Sequence, residues 1–180
     1  MIGFSSSPVL AGGRLEGNGT LIAPTLNVSG ATVAPGFSAG QIDVTGNLSL
    51  GALAALSFDL GGTDRGVTYD AINVSGTVTV DGLLKVALMG GFIPTENTSF
   101  LVLDAGSAVS GSFANAGSGS RLNVDGAGSF LVSYGPGSVS PDQVILSHFA
   151  GVPEPGEWTL MGAVGLLVWT AVRRPRGIGQ

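Results

Sequence analysis

Apolar and polar residues alternate along most of this chain, and glycine punctuates the alternation. The phrase Leu26-Asn-Val-Ser-Gly30 returns as Ile42-Asp-Val-Thr-Gly46, Ile72-Asn-Val-Ser-Gly76 and Leu122-Asn-Val-Asp-Gly126. Residues two apart in a strand share a face, so Leu26 and Val28 are predicted to point one way and Asn27 the other. The closing glycine turns the chain without the Cβ penalty at positive φ. The first two copies start sixteen residues apart, and the later intervals are thirty and fifty, so the period is loose.

Further strands fill the gaps. Gly46-Asn-Leu-Ser-Leu50 alternates, and Leu56, Phe58 and Leu60 share a face. Val78 and Val80 are expected inside, with Thr77 and Thr79 outside. Residues 83–88 and 99–104 read as strands too. Asp81-Gly82 suits a hairpin or tight corner that needs positive φ. No stretch before residue 155 has a helical period with caps.

Two architectures fit short strands with glycine corners: a β-solenoid, whose rungs stack over a continuous core, and a β-sandwich. Alternation alone does not separate them. The near-copies favour the solenoid for about residues 14–60, and the broken period later allows a hairpin-rich, sandwich-like cap. The expected fold class is therefore all-β: a parallel β-helix (β-solenoid) with such a cap, plus one short C-terminal transmembrane helix. The domain reading is an irregular N-terminus at 1–13, a β-rich domain at 14–150 and a distinct tail at 151–180.

Composition agrees with strands. Of 180 residues, 44% are hydrophobic, 11% are charged and 31 are glycine. That is too apolar for a solvated disordered chain. With no cysteine, disulfides and thiolate metal sites are excluded. Up to residue 150 the basic residues are Arg14, Arg65, Lys85 and Arg121, against ten acidic ones. No basic patch with interleaved aromatics exists, which argues against a nucleic-acid partner.

Candidate chemistry is sparse. The sole histidine, His148, lies in an apolar strand with no Gly-x-Ser-x-Gly elbow, so a structural role is expected. Asp59, Asp64 and Asp70 surround Gly61-Gly-Thr-Asp-Arg-Gly66 and bring oxygen ligands of the kind Ca²⁺ takes. Their spacing matches neither an EF-hand loop nor a nonapeptide repeat, so a turn is expected. Asp81, Asp104 and Asp125 end strands in the same manner. Asn18, Asn27, Asn47, Asn73 and Asn97 each begin Asn-x-Ser/Thr, which a ladder or turn explains without sugar. No catalytic residue, cofactor or metal is expected.

Val33-Ala-Pro-Gly-Phe-Ser-Ala-Gly40 with Ile42–Leu50, and Tyr69–Gly82 with Phe100–Gly106, resemble the passenger-associated repeat of bacterial autotransporters. The resemblance covers about residues 18–113 and implies a right-handed parallel β-helix on a cell surface. The chain is expected to depart from that family, with a tail of another kind where the family continues into a membrane β-barrel.

The tail runs Val152-Pro-Glu-Pro-Gly-Glu-Trp158, then an uncharged stretch to Val172, then Arg173, Arg174 and Arg176. Pro155 and Pro175 bound the fifteen uncharged residues 158–172, which as a helix would span roughly 22 Å. A hydrocarbon core is about 30 Å, so the span is short. Trp158 and Trp169 suit the interfaces, and arginines mark the cytoplasmic side. The three elements in this order resemble the PEP-CTERM sorting signal. That resemblance implies a bacterial export route and a membrane transpeptidase, an exosortase, that reads Val152, Pro153, Glu154 and Pro155. Arg173, Arg174 and Arg176 would stop transfer and hold the chain transiently at the inner membrane. Gly177-Ile-Gly-Gln180 past the arginines is a departure from the pattern.

Residues 1–10 lack the basic and apolar regions of a signal peptide, so a truncated or mis-started frame is expected. The combined reading is a non-enzymatic, envelope-associated or extracellular-matrix protein with a structural or adhesive task. Its polar strand faces (Asn27, Asp43, Thr77, Thr79) could contact exopolysaccharide. The alternatives are a fragment of an autotransporter-like adhesin with a simple anchor, and a polysaccharide-active solenoid enzyme.

Overall fold

A computed structural model describes residues 1–124 and 126–152. Val and Thr with alternating inward apolar residues favour strands, and these residues form fifteen of them, with no helix. The first are β1 (Ile2–Gly3), β2 (Val9–Leu10), β3 (Arg14–Gly17), β4 (Gly19–Val28) and β5 (Thr32–Pro35). Then come β6 (Gln41–Leu50), β7 (Ala55–Leu60), β8 (Ala71–Val74), β9 (Val78–Val80) and β10 (Leu83–Leu88). The last are β11 (Phe100–Ala105), β12 (Ser110–Gly111), β13 (Arg121–Val124), β14 (Gly128–Ser133) and β15 (Gln143–Gly151).

They make two sheets. The larger has eleven strands, with the main order β1-β4-β6-β8-β11-β15-β14-β13. The smaller has four in the order β10-β7-β5-β3, all parallel. Inward residues of both sheets, among them Val44, Ile72, Val74, Leu56, Phe58 and Leu84, belong to one hydrophobic cluster.

This corrects the parallel β-helix expectation. The larger sheet is mixed: β15 pairs antiparallel with β11, and β13 with β14. A β-helix requires parallel rungs throughout. Here the parallel course ends with β12, which still runs parallel to β9; β15 then returns antiparallel to β11, and the 126–127 turn folds β13 back on β14 as a hairpin. The expected C-terminal transmembrane helix is not supported either. Among the described residues no helix is long and apolar enough to cross a membrane. Their apolar residues recur every second position and are spent on the core. Residues 158–172 themselves lie outside the described residues.

Two local features follow from single residues. β4 carries one extra residue against β6, between Ile22 and Thr25, where Pro24 sits. A bulge tolerates proline because the lost N–H is one the ladder does not use. Opposite it stands Gly46 at φ +127°, where a Cβ would lie 1.7 Å from the Ala23 carbonyl oxygen. Only glycine allows that close approach.

The outer edge of β10 is closed by a side chain. Asn115 Oδ1 accepts from the Leu84 N–H at 3.0 Å, and Asn115 Nδ2 donates to the Leu84 carbonyl at 2.8 Å. The amide thus supplies both contacts that a neighbouring strand would make. Leu84 is fully buried, so Asn115→Ala strands a donor and an acceptor. A loss of about 1–3 kcal/mol in urea unfolding is expected. A change under a few tenths would mean that water replaces the amide freely.

Candidate functional surface

Inward apolar pairs place their polar neighbours on the opposite face of the larger sheet. Register aligns Thr20, Asp43, Asn73, Asp104 and Gln143 as a row across β4, β6, β8, β11 and β15. A second row is Asn27, Ser49, Thr79 and Ser110. Neighbouring strands lie about 4.8 Å apart, so each row offers a polar group at that interval.

The first row is tied together. Asp43 Oδ1 accepts from Asn73 Nδ2 at 2.7 Å and from Gln41 Nε2 at 2.9 Å. Gln143 Nε2 donates to Asp104 Oδ1 at 3.1 Å. Arg65 Nη2 donates to Asn73 Oδ1 at 2.8 Å, and its Nε donates to the Leu101 carbonyl at 2.9 Å. A side chain from the 61–70 loop therefore anchors the row at Asn73. Beside it lies a shallow hollow of about 380 Å³, lined by Asp43, Thr45, Asn73, Ser75 and Asp104 with Gly106 at its end.

The second row is built alike. Thr79 Oγ1 and Ser110 Oγ lie 3.1 Å apart. Next to it, Asn47 Oδ1 accepts from the Thr77 N–H at 2.8 Å and from Thr77 Oγ1 at 3.0 Å, and its Nδ2 donates to the Pro24 carbonyl at 3.1 Å. Two of the Asn-x-Ser/Thr asparagines, Asn27 and Asn73, thus stand in these rows, and a third, Asn47, stands beside the second row. What the face can do chemically is offer fixed amides, hydroxyls and two carboxylates to a hydrogen-bonding partner.

Around the 61–66 turn, the Asp64 backbone and the Asp70 carboxylate serve the fold. The Asp64 carbonyl accepts from the Val67, Thr68 and Tyr69 N–H groups, which closes the turn. Asp70 points inward and is 1% exposed. Its Oδ1 accepts from the Gly40 N–H and its Oδ2 from the Asp59 N–H, both at 2.8 Å. Burial pushes its pKa up to about 6, against the two backbone hydrogen bonds that favour the charged form; the Asp59 charge adds to the rise and Arg14 opposes it. Asp59 is raised as well, by burial, with the Arg14 charge opposing. Among the described residues no group of three or more His, Asp or Glu is placed to hold a metal ion.

His148 is exposed and adopts φ 48°. Leu146 and Phe149 are both buried although three apart, so the strand takes in an extra residue there and His148 absorbs it. Its Nδ1 lies 3.0 Å from Ser147 Oγ, and its carbonyl accepts from Arg121 Nη2 at 2.7 Å. Asp81 accepts from the Gly82 N–H at the corner between β9 and β10.

Of the predicted sorting residues, Val152 is described and is exposed. Pro153, Glu154, Pro155, Arg173, Arg174 and Arg176 lie outside the described residues, as does Asp125. Sequence reasoning missed Arg65 and Asn115, and it gave Asp70 to a turn where the structure makes it a buried clasp between the Gly40 and Asp59 N–H groups. A lone arginine in a glycine-rich turn is the one signal that could have pointed to Arg65. Compared with protein-family models, with curated proteins and with solved structures, the chain matches none.

Proposed function

We propose that this chain is an exported envelope or extracellular-matrix protein whose task is structural or adhesive rather than catalytic. The observation that carries the reading is the tied polar face of the larger sheet. Its amides and hydroxyls are held by their neighbours, so little ordering cost remains when a hydroxyl-rich polymer such as an exopolysaccharide lies along it. Two carboxylates on that face are each occupied by an amide donor, which suits recognition better than acid–base work.

The tail supplies the route. Val152, Pro153, Glu154 and Pro155 form the segment an exosortase reads, and the uncharged stretch with Arg173, Arg174 and Arg176 keeps the chain at the inner membrane until it is processed. The body then lies on the periplasmic side, and the arginines stay cytoplasmic. Mass spectrometry of the mature protein, expressed in its host from the full-length gene, tests this. The expected C-terminus falls near residues 152–157. A mature pool that still ends at Gln180 overturns sorting and favours a simple anchor on an autotransporter-like adhesin. Polysaccharide cleavage that is lost on Asp64→Asn would overturn the non-catalytic reading.

A further inference from the structure

The two ends of the four-stranded sheet differ. At one end Asn115 closes β10. At the other, β3 pairs with β5 on one side and, among the described residues, with no strand on the other. The Thr32 N–H donates to the Gly13 carbonyl, and Gly17 and Gly36 exchange backbone bonds. Backbone groups alternate sides along a strand, so Gly13, Leu15 and Gly17 face β5. The N–H and C=O groups of Arg14 and Glu16 therefore face outward. A free edge of this kind is a template for another strand.

The residues on that edge are self-complementary. Arg14 and Glu16 are exposed on the outer face of β3, where they pair with each other along the strand and would exchange that partner for the second copy's, and the half-buried Leu15 between them points to the core. We propose that the chain pairs with a second copy of itself through β3, about a two-fold axis at Leu15 that sets Arg14 of each copy against Glu16 of the other. In that antiparallel register the outward backbone groups of Arg14 and Glu16 are the ones that meet, as a hydrogen-bonded pair. Both cross-strand side-chain pairs are then of opposite charge. The contact is isologous and closes on itself, so it makes a dimer and not a fibre. Such an axis, perpendicular to the sheets, also brings together the short β1 and β2 at the same end. Ile2 and Val9 there are 57% and 61% exposed. A hollow of about 110 Å³ beside Leu15, Leu21 and Ile42 opens at this end, and the second Leu15 comes to lie beside it.

Charge reversal tests the register. Sedimentation of the full chain in mild detergent is expected to give a dimer. The R14E strand carries two negative side chains and the E16R strand two positive ones. Each variant alone should dimerise about ten-fold more weakly or worse. An equimolar mixture of the two should recover the dimer as a heterodimer, and the double variant R14E/E16R should recover it alone. Circular dichroism checks that each variant keeps its strands, and the double variant remains informative if a single one does not fold. A wild-type chain that stays monomeric up to about 100 μM overturns the proposal. So does a dimer whose affinity ignores both reversals, since association then uses another surface.

Discussion

Asp70→Ala is expected to destabilise the protein by roughly 2–5 kcal/mol at pH 5, measured by urea unfolding. The side chain joins the Gly40 N–H, just before β6, to the Asp59 N–H in β7, and so ties the larger sheet to the smaller. Removing it strands two backbone donors at a site that water does not reach, at about 1–3 kcal/mol each. Domains of this size are stable by only about 5–15 kcal/mol, so much of the total is at stake. A loss under about 1 kcal/mol would show that the clasp is not what holds these strands.

The same residue sets a pH dependence. Its folded pKa of about 6 lies above the ordinary 3.8, so the folded protein binds the proton more tightly than the unfolded chain. That contribution is complete below about pH 3.8 and is lost as pH rises through about 6. Between pH 4.5 and 7.5 stability should fall by about 2 kcal/mol on account of Asp70. Asp59 is shifted in the same direction and adds to the fall. Asp70→Asn should remove most of the slope, and the penalty of Asp70→Ala should shrink at pH 7.5. A wild-type protein more stable at pH 7.5 than at 4.5 would contradict the buried clasp.

The facing of strands was legible because period two is a local property. In every copy of the recurring phrase the apolar pair is buried: Leu26 and Val28, Ile42 and Val44, Ile72 and Val74, Leu122 and Val124. Leu56, Phe58, Leu60, Val78 and Val80 are buried as read from the sequence. Which strand neighbours which was not legible. Ile42 does stack on Ile72, but Leu26 stacks on Leu48, and Leu122 enters an antiparallel hairpin. A phrase of five residues fixes a strand and its corner; the loops between copies fix direction and partner, and they do not repeat. The parallel β-helix expectation extended the regular part over a region that reverses. The polar face was half legible: alternation placed Asn27, Asp43, Thr77 and Thr79 outward, while the alignment of Asp43, Asn73, Asp104 and Gln143 needed the register. Arg65, Asp70 and Asn115 act on residues far along the chain, so the glycine-rich turn that drew attention to Asp70 did not show what it holds.

Phe100→Ala carries the other large expected effect. Phe100 is fully buried in β11 and meets three rings edge-on: Tyr69 at 5.2 Å, Phe130 at 5.7 Å and Phe92 at 6.1 Å between centroids. Phe130 in turn packs on Phe149 at 4.8 Å. Phe100 thus joins the parallel strands to the antiparallel β14 and β15, where the sheet changes character. Phe→Ala in a core costs about 3–5 kcal/mol, and each edge-on pair adds about 0.5–1.5 kcal/mol beyond area. Phe100→Ala should therefore lower the unfolding free energy by at least about 3 kcal/mol, and the antiparallel segment should lose amide-exchange protection first. Phe100→Leu keeps most of the volume and should cost less than half as much. Phe37, 84% exposed, provides the control, since Phe37→Ala should stay within about 0.5 kcal/mol of wild type. Equal effects at the two positions would mean that the ring cluster does not join the two halves of the sheet.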